Sequence, residues 1–78
     1  MTVIIGVKLE KRQENAKKLQ DIATEFGCSI KTRIGLHEVA DGVCSPSGVI
    51  LFEVINKEVE FENALKTIES AVVKVMTF

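Results

Sequence analysis

Residues 29–39 read Ser29-Ile30-Lys31-Thr32-Arg33-Ile34-Gly35-Leu36-His37-Glu38-Val39. Ile30, Thr32, Ile34 and Leu36 fall on one side of an extended chain and Lys31, Arg33, Gly35 and His37 on the other, the period of two that marks a strand. Residues 48–55, Gly48-Val49-Ile50-Leu51-Phe52-Glu53-Val54-Ile55, supply a partner strand. Between them residues 40–47 hold Asp41, Gly42, Ser45, Pro46 and Ser47, all turn formers, and predict a long hairpin loop. A register follows from matching the faces. Leu36 opposite Ile50, Ile34 opposite Phe52 and Thr32 opposite Val54 make an apolar inner ladder. Arg33 opposite Glu53, Gly35 opposite Leu51, Lys31 opposite Ile55 and His37 opposite Val49 form the outer face, with a cross-strand ion pair. A slip of one residue would turn Arg33 inward.

Upstream, residues 2–9 are apolar and rich in β-branched side chains, the composition of a largely buried strand. The period then changes: Ala16, Leu19, Ile22, Ala23 and Phe26 are spaced by three and four and predict a helix over residues 11–26. Glu14 with Lys18 and Lys17 with Asp21 are helical i,i+4 pairs, and Gly27 is placed to end the helix in a left-handed turn. Downstream, Asn56 is the expected N-cap of a second helix with an apolar stripe of Val59, Phe61, Ala64, Leu65 and Ile68, supported by a Glu62 to Lys66 pair. Residues 72–78 close the chain as a fourth strand.

The order βαββαβ, joined by right-handed crossovers, predicts an α+β ferredoxin-like fold: a four-stranded antiparallel sheet of order 4132 with both helices on one face. The 78 residues are consumed by these elements, so residues 1–78 are expected to form one domain. Helices on one side leave the other side of the sheet uncovered. There the register puts Ile4, Val49, Leu51 and Ile55 on the central strands, with Val72, Met76 and Phe78 at an edge. Contiguous apolar surface of that kind marks interfaces, so a homodimer or higher homo-oligomer is expected, or docking on a larger protein partner.

Composition excludes several classes. Ten basic against eleven acidic residues give a net charge of −1, which offers no electrostatic reason for nucleic acid or an anionic membrane as partner. The apolar runs, such as residues 49–52, fall far short of the ~20 residues that span a bilayer, and no charged leader precedes a hydrophobic signal segment at Met1; the expected location is cytoplasmic. Two cysteines, Cys28 and Cys44, form no disulfide framework. Cys28 reads as a small buried hydrophobe at the helix-to-strand junction.

One end of the molecule gathers polar chemistry. His37, Glu38, Asp41 and Cys44 belong to the end of the hairpin, and Glu10, Lys11 and Arg12 to the first strand-to-helix connection, which the topology brings to the same end. Glu10, Arg12, His37 and Cys44 are the candidate ligand contacts, with Arg12 as an anion anchor. Imidazole and thiolate make His37 and Cys44 the candidate metal ligands of an alternative reading as a divalent-metal sensor, the shell completed by a second subunit. A second alternative is a structural interaction module without ligand. The chain lacks a Ser-His-Asp signature, a glycine-rich phosphate loop, Tyr and Trp, and has one His, so no enzymatic role is expected. RNA-recognition modules of this topology stack bases on aromatics of the first and third strands; here the first strand has none and Phe52 reads as inward. Metal chaperones would carry CxxC where this chain has Glu10-Lys11-Arg12-Gln13, and bacterial ferredoxins need more cysteines.

The segment Ala16-Lys17-Lys18-Leu19-Gln20 through Phe26-Gly27-Cys28-Ser29-Ile30 resembles ACT-type regulatory domains, in which a helix ends in Gly before a strand that opens on an apolar residue. Nearly the whole chain is similar to the small stand-alone ACT-like family of iron-only hydrogenase system regulators, related in fold to the C-terminal domain of nickel-responsive repressors. The resemblance is carried by Thr32-Arg33-Ile34-Gly35-Leu36, residues 48–54 and residues 72–75. It implies a ferredoxin-like fold and a regulatory or small-ligand-sensing role exercised as a homo-oligomer.

Overall fold

The β-branched side chains of Val3, Ile4, Ile5 and Val7 favour an extended strand over Val3–Leu9, β1, with Val3, Ile5 and Val7 buried. The structure is a computed structural model that describes the backbone of residues 1–9, 13–40 and 43–78, and the side chains of all of these except 13, 37–40 and 43–47. The elements that follow are helix α1 (Gln13–Glu25), a 3-10 turn (Gly27–Ser29), strands β2 (Ile30–Ala40) and β3 (Val43–Val54), helix α2 (Glu58–Leu65) and strand β4 (Val72–Thr77). Every pairing is antiparallel and the strand order is β2-β3-β1-β4, the 4132 order read in reverse. The expected βαββαβ architecture is therefore observed.

The core lies between the sheet and the helices. Val3, Ile5 and Val7 of β1 and Phe52 and Val54 of β3 face Leu19 and Ala23 of α1, Phe61 and Leu65 of α2, and Ile68 just beyond it. Phe61 is the hub. Its ring meets Phe52 edge-on at 5.1 Å and Phe26 at 5.2 Å with a tilt of 47°. Burying each such side chain stabilises the fold by roughly 1.5–3 kcal/mol, and aromatic pairs add ~0.5–1.5.

Helix α1 departs from the expected stripe at one turn. Ala16 is exposed and Asn15 is buried, its Nδ2 donating to the Glu69 carbonyl oxygen at 3.0 Å. A buried amide is tolerable here because it is hydrogen-bonded, and the bond ties the first turn of α1 to the connection between α2 and β4. At the other end Gly27 does not adopt the left-handed turn. The helix tightens instead into the 3-10 turn, where Ser29 N–H donates to the Phe26 carbonyl at 2.8 Å. Ser29 faces inward and Cys28 outward, so Cys28 is an exposed, unbonded thiol and not the buried hydrophobe expected.

Asn56 also has another task than the one expected. Its Oδ1 accepts a 2.6 Å hydrogen bond from buried Ser29 Oγ, while the Ile55 N–H donates to the Ser29 carbonyl. Together these bonds fasten the start of β2 to the end of β3. The residue capping α2 is Lys57, in the left-handed region at φ 55° and without a side-chain cap bond. Phe61, Leu65 and Ile68 are inside as expected, Val59 is exposed, and Lys66 Nζ pairs with Glu62 Oε2 at 2.8 Å.

The β2 to β3 register is one residue away from the expected one. Ile34 pairs with Leu51, Gly35 with Ile50, Leu36 with Val49, Arg33 with Phe52 and Thr32 with Glu53. The cause is an irregularity between Ile30 and Thr32. It keeps Ile30 against the core, opposite Val54, while reversing the facing of residues 32–36. The hairpin is also longer than expected. Val39 pairs with Cys44 and Ala40 with Val43, so most of residues 40–47 belong to strands rather than to a loop. Pro46 lies where the ladder breaks between His37/Gly48 and Val39/Cys44, a position that needs no regular N–H donation.

Candidate functional site

Two surfaces follow from this register. The first is the open face of the sheet, whose residues form three rows across β2, β3, β1 and β4: Thr32, Glu53, Ile4, Met76; then Ile34, Leu51, Gly6, Lys74; then Leu36, Val49, Lys8, Val72. Ile55 and Phe78 extend it beyond the first row. The expected interface residues Ile4, Val49, Leu51, Ile55, Met76 and Phe78 all lie on or beside this face. The shifted register adds Ile34 and Leu36, which are 50% and 51% exposed although they read as core in the sequence. Gly6 leaves a shallow apolar hollow of about 280 Å³ at the centre, bordered by Leu51, Val49, Val72 and Met76. A Cβ at position 6 would stand 3.1 Å from Leu51 Cδ2, so the Leu51 side chain leans into the space that glycine vacates. Thr32 Oγ1 donates to Glu53 Oε1 at 3.2 Å, and the expected Arg33 to Glu53 ion pair does not form because the two side chains are on opposite sides of the sheet.

The second surface lies on the helix side, where β2 extends past the cover that α1 provides. Arg33 is the residue this brings into play. It is exposed rather than buried: its guanidinium carbon sits 5.7 Å from the centroid of Phe52, and Nη1 donates to Gln20 Oε1 of α1 at 3.3 Å. The long stem lets an inward-facing arginine on an edge strand keep its charge in water while its plane covers the core aromatic. Beside it is a hollow of about 370 Å³ floored by Leu9, Leu19 and Ile50 and flanked by Gln20, Arg33 and Gly35.

Glu10 and Arg12 lie outside the described residues. His37 and Cys44 are described as backbone alone: His37 pairs with Gly48 on β2, and Cys44 with Val39 on β3, at the same end of the hairpin. Their side chains lie outside the described residues. Among the described residues no three of His, Cys, Asp and Glu come together in a group able to hold a metal ion.

Sequence reasoning missed Arg33 and Gln20 as neighbours. The available signal was the polar Arg33 and side-chain-less Gly35 on one side of β2, read there as the water-facing side. It also missed Asn15, whose place in a polar stretch of α1 gave no sign of burial.

Among the described residues no helix is long and apolar enough to cross a membrane. No protein-family model and no curated protein matches the chain. Its fold is similar to that of TM1266, an uncharacterised protein from Thermotoga maritima, with a TM-score of 0.74 and 18% sequence identity over 96% of this chain and 92% of that one. At this identity the likeness shows a shared ferredoxin-like fold.

Proposed function

We propose that the chain is a non-enzymatic regulatory domain of ACT-like type that works as a homo-oligomer, with the open sheet face as the contact between copies. The single observation that carries this reading is the continuity of apolar side chains across all four strands on that face: Ile34 and Leu36, Leu51 and Val49, Ile4, then Met76 and Val72. With strands ~4.8 Å apart and ~3.3 Å per residue, the face is about 19 Å wide and about 20 Å long, more than scattered surface hydrophobes make.

A second copy is the occupant that the charges favour. Glu53 is in the first row, Lys74 in the second and Lys8 in the third. Two sheets stacked face to face with strands reversed place the acidic end of each over the basic end of the other, while their apolar columns meet between. The regulatory part of the reading comes from the resemblance of residues 32–36 and 48–54 to iron-only hydrogenase system regulators. Sedimentation equilibrium at micromolar concentration tests it: the expected mass is at least twice the 8.6 kDa of one chain. A monomer contradicts homo-oligomerisation and would leave the face to a larger protein partner.

A further inference from the structure

We infer that the hollow between α1 and β2 is a binding site for a small monocarboxylate with a short aliphatic tail. The inference gives the regulatory reading a ligand class and rests on that reading for its meaning, but the site belongs to one chain and is on the opposite side of the sheet from the open face.

Three observations converge. The hollow, about 370 Å³, falls in the size range of small-molecule sites, and its floor of Leu9, Leu19 and Ile50 is aliphatic. Gly35 contributes no side chain where β2 passes over it, and a Cβ there would meet nothing within 4 Å, so the space is open. Arg33 stands at the rim, held in place by Gln20 Oε1 and by the Phe52 ring, and among the described residues no carboxylate pairs with it. A planar guanidinium fixed on two sides is pre-organised for the two oxygens of a carboxylate, and Gln20 presents an amide beside it. An apolar floor with Arg33 at its edge fits a charged head on an aliphatic chain better than it fits inorganic phosphate, which would leave the floor uncovered.

The test follows 15N-labelled full-length protein by NMR while hexanoate, acetate or hexanamide is added. Hexanoate is expected to shift the amides of Gln20, Gly35 and Ile50 saturably, with acetate, which lacks the tail, and hexanamide, which lacks the charge, binding at least about tenfold more weakly. Arg33→Gln should erase the preference of hexanoate over hexanamide, and Gly35→Leu, which fills the hollow, should abolish binding of both. The wild-type comparison of the three probes stands without any variant. Equal binding of hexanoate and hexanamide, shifts centred elsewhere, or no saturable shift overturns the inference. Sedimentation reads the assembly at the open face and NMR reads this binding, so either can fail alone.

Discussion

Ile34 of β2 stands directly across from Leu51 of β3, on the side of the sheet that no helix covers. That pairing converts a side chain that reads as core into half-exposed surface, and it sends Arg33 to the helix side over Phe52. The irregularity between Ile30 and Thr32 thus adds Ile34 and Leu36 to the open face and sets Arg33 beside the hollow on the helix side.

The anchor that precedes this irregularity can be tested. Ser29 is buried at 4% exposure and Asn56 is exposed, so the 2.6 Å bond between them is asymmetric. Asn56→Ala leaves a buried hydroxyl without its partner and is expected to cost about 1–3 kcal/mol. Ser29→Ala leaves the Asn56 amide to water and should cost about 1 kcal/mol or less. Urea denaturation of both variants checks the order; a larger loss in Ser29→Ala contradicts it.

Asn15 holds the connection between α2 and β4 through the Glu69 carbonyl. Asn15→Leu keeps the volume and removes the donor, with an expected loss of about 1–2 kcal/mol. Hydrogen exchange should show faster opening at Ile68 and Ala71, whose N–H groups donate to Leu65 and Ile68 carbonyls. Unchanged exchange there would show that the bond does not hold the connection.

Lys57 occupies the left-handed region at φ 55°. An L-residue with a Cβ is disfavoured there by about 1 kcal/mol, so Lys57→Gly should stabilise the protein by about 0.5–1 kcal/mol, raising Tm by a few degrees, while Lys57→Ala should bring no gain. A destabilised Lys57→Gly variant contradicts this account of the cap.

The elements and their order were legible in the sequence because periodicity reports them. Ile5 and Val7 recur at two, Leu19 and Ala23 at four, and the change between them marks the first crossover. The facing of β2 was not legible. Alternation assigns an apolar set to one face and assumes that only one face is apolar; here both sides of the sheet are, so Ile34 and Leu36 satisfy either register equally well. A single irregularity beside Lys31 decides between them, and no side-chain pattern reports it. The same limit hid the long hairpin. Ser45, Pro46 and Ser47 are turn formers by composition, but β3 already extends from Val43, with the ladder irregular beside Pro46. Asn15 and Ser29 show the complement: short polar side chains enter a core when one hydrogen-bond partner from a distant element meets them, and such partners are not neighbours in sequence. The interface residues on β1, β3 and β4 were found because their facing does not depend on β2.

The open face as the contact between copies is tested most directly by sedimentation at micromolar concentration of three proteins: wild type, Leu51→Lys at the centre of the face, and Val59→Lys, an equally drastic change at an exposed residue of α2. The account predicts that wild type and Val59→Lys sediment as the same oligomer, and that Leu51→Lys retains its helical and strand signal but sediments at 8.6 kDa. A Leu51→Lys protein that remains oligomeric, or a wild type that is already monomeric, would contradict it.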